Sequence, residues 1–296
     1  MKKSRTFDVV VIIMFAALAL LTLYPFYNVI ILSFSNTESV AKHIPYLLPF
    51  ALDLTGYKTI IQDSDFINSL LVSLFVTIVG TAVNMVLSVI AAYVLSRKYL
   101  DGRNMIMSVI VFTMLFGGGL VPTYLMYVNY LHIKNTIWAL IVPGFLLSAN
   151  NVLMIRSYFN TSIPDALFEA AKIDGAGHMK IFTSITLPLG KPILVTMGLF
   201  SALGYWNDWT NGLYYLSGNE GQKLYSIQNL LNQMITDIQY LASGKVTGNI
   251  GAEVAKLPTT SIRMAIAFIA MLPLFIIYPF LQKYFAEGIT LGAVKG

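Results

Sequence analysis

Four neighbouring residues, Trp206, Asn207, Asp208 and Trp209, interrupt an apolar run with two aromatic faces, an amide and a carboxylate. Polar groups within apolar segments are costly and usually face a cavity or a partner. Tyr124 and Tyr127 follow an interruption formed by Gly117-Gly118-Gly119 and Pro122, and Asn150 and Asn151 stand together in another apolar run. Aromatic faces combined with amides and a carboxylate suit a polyol such as a sugar. The same residue types also populate membrane-interface belts and bond helices to one another, so both uses remain open from the residues alone.

A second constellation runs from Ser162 to Gly177. Its pattern predicts a helix over Ile163–Asp174, with Ser162 as N-cap, Asp165 three residues on as a capping-box partner, and Pro164 in the first turn. Ala166, Leu167, Ala170, Ala171 and Ile173 supply an apolar stripe. Gly175 follows the last turn, where a left-handed cap belongs. A second short helix is expected over His178–Thr186, ending at Leu187-Pro188. The alanines and glycines allow a second backbone to approach, and Glu169, Lys172 and Asp174 can fix its register through charge. Docking on a partner and anchoring in lipid headgroups both fit this surface.

Other chemistries lack their residues. The chain has no cysteine, which removes disulfides and thiolate chemistry, and its three histidines, His43, His132 and His178, have no ligand spacing. No G-x-x-x-x-G-K-[ST] phosphate loop occurs: Gly190-Lys191 is followed by Pro192 and Gly244-Lys245 by Val246. No nucleophile, base and orienting group stand in a recognisable set, so no catalytic site and no metal site are expected. An ion-driven transporter would need several intramembrane carboxylates, and only Asp208 lies within a predicted span. A scaffold or sensor would carry a soluble receiver or catalytic domain, and none is visible.

The elements that must position these residues are membrane spans. The 296 residues are 56% hydrophobic and 11% charged, and the mean hydropathy is +0.70. Too few charges exist to solvate a globule of this size, because soluble domains carry about 25%. A spanning helix needs about 20 mostly apolar residues. Six segments are predicted: Val9–Leu32, Phe66–Ser96, Asn104–Leu131, Asn135–Ile155, Pro192–Leu216 and Met264–Gln282. The first is read as a retained span, since it exceeds a signal-peptide core of roughly 7–15 residues. With the N-terminus inside, 12 of the 19 Lys and Arg fall in residues 1–8, 97–103, 156–191 and 283–296. That bias predicts cytoplasmic termini in a plasma membrane. The expected organisation is a cytoplasmic N-terminus (1–8), a six-helix domain (9–282) and a cytoplasmic tail (283–296). Two long external connections, 33–65 and 217–263, remain; the second predicts a helix over Tyr225–Tyr240, either a surface cap or a contact for cargo.

Glu169-Ala170-Ala171, Asp174-Gly175-Ala176 and Ile185-x-Leu187-Pro188 resemble the EAA signature of ABC-type importer permeases. Trp206-Asn207-Asp208 and the ending Gly288–Gly296 are similar to carbohydrate permeases of the maltose-permease (MalG) type. The resemblance implies an all-α, type I (MetI-like) importer architecture with a core at about 66–282 and the signature loop at 156–191. It implies that Ile163–Asp174 is a coupling helix seated on a cytoplasmic ATPase, with Glu169 and Asp174 as polar anchors and Gly175 as the required turn. Ala170, Ala171, Ala176, Leu187 and Pro188 complete that coupling set, and the tail from Lys283 would also reach the ATPases. Expected partners are a second permease, two ATPase subunits that bind ATP and Mg, and an external solute-binding protein. The chain itself would hold no cofactor, and nucleic acid is not an expected partner.

Overall fold

The computed structural model describes residues 5–36, 52–242 and 259–293, with side chains at 7–36, 52–240, 259–277 and 279. Among these residues all regular structure is helical, and one isolated bridge joins Ser35 to Leu52. The helices are α1 (Arg5–Ser33), α2 (Thr55–Gln62), α3 (Ser64–Ser96), α4 (Arg103–Leu115), α5 (Leu120–Tyr130), α6 (Trp138–Ile141) and α7 (Ala149–Ser162). They continue with α8 (Asp165–Ile173), α9 (His178–Leu189), α10 (Lys191–Asn207), α11 (Thr210–Tyr215), α12 (Gly218–Gln222), α13 (Ile227–Ala242) and α14 (Thr260–Ala293).

Three helices among the described residues are long and apolar enough to cross a membrane: α1, α3 and the first part of α14. The count rises to five if each of two bent pairs is one span. The first pair is α4 and α5, bent by 112°. Its break lies at the glycine triplet, where Gly119 takes a φ of +85° that other residues resist. The second pair is α9 and α10, bent by 78°. The expected fourth span, Asn135–Ile155, is not one helix. It divides into α6, a turn through Pro143 and Gly144, and α7, whose N-terminus is capped by the Ser148 hydroxyl accepting from the Asn151 N–H. Gly144 at φ +75° supplies that turn. The expected fifth span, Pro192–Leu216, likewise ends at Asn207, and α11 begins after a break at Asp208.

The chain forms two compact units. One comprises residues 1–67 and 230–273. There α1 exposes apolar side chains along its length, Leu20 at 71% and Leu21 at 74%, as a helix facing lipid does. Its C-terminal end is tied down: the Tyr57 hydroxyl donates to Ser33 Oγ at 2.7 Å, and the Ser261 hydroxyl donates to the Ser35 carbonyl at 2.6 Å. Phe34 packs against Tyr57 and edge-on to Phe268. The expected helix over Tyr225–Tyr240 is present as α13, and Ser226 caps it by accepting from the Asn229 N–H at 3.2 Å. The remainder of the second long connection, 243–258, lies outside the described residues, as does 37–51 of the first.

The other unit comprises residues 68–229 and 274–296 and holds two cores. One gathers Val89, Tyr93 and Leu95 of α3 with Val152, Ile155 and Phe159 of α7, Phe168 of α8, Ile181 of α9, and Ile193 and Met197 of α10. The second joins Val72 and Val76 of α3 to α6, Tyr205 and Tyr215. Gly80 permits the approach of the Tyr205 ring, which lies 2.6 Å from where a β-carbon would stand. Between the cores, three buried polar residues knit α3, α7 and α10. Asn151 Nδ2 donates to Asn84 Oδ1 at 2.8 Å and to Ser201 Oγ at 2.7 Å, and the Ser201 hydroxyl donates to Asn84 Oδ1 at 3.0 Å. Asn84 in turn donates to the Phe145 carbonyl. Such bonds between spans contribute about 0.6 kcal/mol each, up to ~1.7. Asn151→Ala removes two of them, so we expect about 1–2 kcal/mol of destabilisation, read as a lower unfolding midpoint in detergent with helix content unchanged at the start.

Candidate docking site

α8 and α9 lie between α7 and α10 and are too short to cross a bilayer. α8 begins two residues later than its sequence suggests. Ser162 remains the last residue of α7, Ile163 is extended (φ −112°, ψ 111°), and Pro164 takes the N-cap position with no side-chain bond. The residue before a proline avoids the helical region, so the break falls at Ile163 and the expected Ser162 capping box does not form. The C-terminal end matches expectation. Gly175 sits at φ +76°, its N–H donates to the Lys172 carbonyl at 3.0 Å, and the Ala176 N–H donates to the Ala171 carbonyl at 2.9 Å. This paired arrangement is a Schellman motif.

The second short helix runs three residues beyond the expected end at Thr186. A wide π-helical turn over Phe182–Thr186 carries it through Leu187 and Pro188 to Leu189. Leu187 is half-buried against the first core, and Pro188 is exposed.

α8 buries a single side chain, Phe168. Ala171 and Ala176 pack partly against the same core. The other side chains are exposed: Ala166, Leu167, Ala170, Ile173 and Asp174 away from the core, with Ile173 at 87%, and Asp165, Glu169 and Lys172 at the rim beside the turn that follows α3. Met179 of α9 continues this apolar surface. Among the described residues Glu169 and Asp174 have no ion-pair partner. A rigid, capped helix thus displays apolar side chains around an unpaired glutamate.

The inner side of α8 is clasped by the turn that follows α3. Arg97 is buried, with its guanidinium carbon 3.8 Å from the Phe168 ring centre and 5.0 Å from that of Tyr93. Burial pulls its pKa below the ordinary arginine value; arginine nonetheless stays charged. Lys98 Nζ lies 2.5 Å from Asp165 Oδ2. The Lys98 hydrogen bond holds the Asp165 carboxyl below its usual range, so the pair is present at neutral pH and is lost as pH falls through that lowered value. Both partners are largely exposed, which makes the pair a register device more than a source of stability. Together these groups line a cleft of about 170 Å³ with Tyr99, Glu169, Lys172 and His178. Sequence reasoning treated Arg97 only as an orientation charge. The Tyr93–Arg97 spacing of four, which brings an aromatic ring of the last turn of α3 within reach of the residue that follows it, is the signal that could have found it.

The residues expected to meet cargo are distributed as follows. Tyr124 stacks on Tyr215 (5.7 Å between centres, 9° between planes), and Tyr127 meets the same ring edge-on at 5.8 Å. Asn150 is exposed in the first turn of α7, whereas Asn151 is buried in the network described above. Trp206 is buried. Asn207 is exposed and donates to the Leu203 carbonyl. Asp208 sits at the break between α10 and α11 and accepts from the N–H groups of Thr210 and Asn211 at 3.0 and 3.3 Å. Trp209 is exposed, and its carbonyl accepts from Asn229 Nδ2 at 2.7 Å. Asn211, which flanks Asp208 in the sequence, holds this region together with Tyr215 and Asn229, which the residue pattern does not single out.

Residues 84–291 match the family model for the binding-protein-dependent transport system inner membrane component. The polygalacturonan/rhamnogalacturonan transport system permease protein YtcP of Bacillus subtilis is 40% identical, over 99% of this chain and 100% of its own length. Protein LplC of the same organism is 37% identical, over 100% of this chain and 97% of its own. A crystal structure of a bacterial ABC transporter involved in the import of the acidic polysaccharide alginate contains a chain with 29% identity and a TM-score of 0.82, covering 96% of this chain and 98% of that one. This all-helical, membrane-integral chain therefore belongs to the binding-protein-dependent transport system inner membrane components, the permease subunits of ABC importers.

Proposed function

We propose that this chain forms one half of the translocation pathway of an ATP-driven importer for a sugar or oligosaccharide delivered by an external solute-binding protein. Six passes, with α6 and the start of α7 together making the fourth, place both termini and the α8–α9 unit in the cytoplasm. A second permease completes the pathway. Two ATPase subunits bind ATP and Mg, because this chain has no phosphate loop of its own.

The observation that carries this reading is the outward face of α8. Leu167, Ile173 and Met179 are apolar and exposed beside Glu169, on a helix held rigidly at its inner face and C-terminal end. A surface of that kind fits a cleft in a partner protein, and the EAA signature lies on it. The carbohydrate cargo is supported by the relatives, whose names specify polygalacturonan and rhamnogalacturonan, or melibiose, raffinose and stachyose. Tyr124, Tyr127, Asn150, Trp206, Asn207, Asp208 and Trp209 are the pathway candidates, with Asn150, Asn207 and Trp209 the exposed members.

The test is uptake by proteoliposomes holding the chain, its partner permease and its ATPases, supplied with the cognate binding protein and a panel of plant and algal oligosaccharides. Uptake of a saccharide that needs both the binding protein and internal ATP is expected. Uptake by this chain without ATP would overturn the reading in favour of a gradient-driven carrier, and ATP-dependent uptake of a non-sugar solute alone would overturn the cargo.

A further inference from the structure

Arg97 is a buried cation with no carboxylate within 4.0 Å among the described residues. A buried arginine is ordinarily held by an acid. Here the planar guanidinium lies over two aromatic rings, Phe168 of α8 at 3.8 Å and Tyr93 of α3 at 5.0 Å from its carbon to the ring centres. Its Nε and Nη2 both donate to Ser96 Oγ, at 3.0 and 2.8 Å, and the Ser96 hydroxyl donates to the Tyr93 carbonyl at 2.7 Å. The guanidinium plane is therefore fixed relative to the end of α3, and the only side chain that α8 buries rests on it.

The flanking residues grip the same helix at both ends. Lys98 bonds Asp165 in the first turn of α8, and the Lys172 ammonium in the last turn lies 4.4 Å from the Tyr99 ring centre. The Tyr99 hydroxyl is 3.0 Å from His178 Nδ1, and the Tyr93 hydroxyl donates to the His178 carbonyl at 3.2 Å. Three consecutive residues, Arg97, Lys98 and Tyr99, thus touch the start, middle and end of α8 and the first residue of α9.

We propose that Arg97 is a positioning residue that couples α8 to α3, so that displacement of the docking helix is delivered to a 33-residue spanning helix instead of dissipating in the connections at Ile163–Pro164 and Gly175–Gly177. The inference rests on the docking role given above for α8. Planarity is the essential property. A lysine keeps the charge but cannot stack a plane on the rings or make two bonds to one hydroxyl in a fixed plane. The cleft beside Arg97 is not a free anion site, since the guanidinium is buried against two rings and two of its nitrogens are engaged.

The test uses the whole complex in proteoliposomes and reads solute imported per ATP hydrolysed. Arg97→Lys is expected to retain the ATPase subunits on purification and to hydrolyse ATP, while solute imported per ATP falls at least ten-fold. Phe168→Leu preserves apolar volume and removes the α8 ring on which the guanidinium rests; the same fall is expected, and the double variant should be no worse than either. A simple loss of stability would lower uptake and hydrolysis in proportion and leave the ratio unchanged, which would overturn the proposal. A normal ratio in either assembled variant, or failure of both to assemble, would overturn it as well. If the unaltered complex shows no ATP-dependent uptake, the importer reading itself is wrong; if it is well coupled and the variants are too, only the role of Arg97 falls.

Discussion

Replacing Gly175 with proline is expected to uncouple the permease from the proposed ATPases while leaving the spans intact. Proline holds φ near −65° and has no N–H. Gly175 requires φ +76° and an N–H to close on the Lys172 carbonyl. Both requirements fail together, so the cap opens, α8 frays at its C-terminal end, and Ile173 and Asp174 leave their places. No atom lies within 4 Å of a β-carbon built at this position, so space is not the issue and the effect follows backbone conformation alone. The expected series is therefore ordered. Gly175→Asn, which tolerates the left-handed region, stays near wild type. Gly175→Ala costs about 1–2 kcal/mol and lowers uptake several-fold. Gly175→Pro lowers it at least ten-fold and reduces ATPase recovery on affinity purification. Equal recovery and stimulated hydrolysis across all three variants would contradict a rigid docking helix.

Ile173→Asp should have the second large effect, for the opposite reason. The side chain is 87% exposed in this chain, and exposed substitutions cost about 0.5 kcal/mol or less in folding. Expression, helix content and thermal midpoint of the permease should not change. In a protein cleft the same position would bury an unpaired carboxylate, at a cost of roughly 2–3 kcal/mol, about 30- to 150-fold in affinity. Titration of the permease with purified ATPase measures this directly. If α8 merely lay among headgroups, the substitution would shift its insertion in lipid and leave ATPase affinity untouched.

The parts legible in the sequence were those where one residue type has one conformational use. The glycine triplet at 117–119 marked a break in an apolar segment, and Gly175 marked a left-handed cap; both stand where expected. Ser162 misled because a cap residue and the last residue of the preceding helix can be the same serine. The following Ile163-Pro164 decided between them by forcing the break to Ile163. The fourth span misled because apolar length was weighed above Pro143-Gly144, a dipeptide that punctuates helices. Asp208 stands out in the sequence as a carboxylate within an apolar run, yet its use in closing the start of α11 depends on a helix break that hydropathy does not reveal. Asn84 and Ser201 were illegible for another reason: each is one of several small polar residues in its helix, and only the packing of three helices singles them out by bringing them to Asn151.

Because the chain has no cysteine, a single Ile173→Cys substitution gives an unambiguous probe of what α8 touches. In the assembled transporter this thiol should be shielded from water-soluble maleimides and should cross-link to an ATPase subunit through a short bifunctional reagent. A thiol that labels at the same rate with and without the ATPases, and that forms adducts only with lipid-phase reagents, would contradict the account.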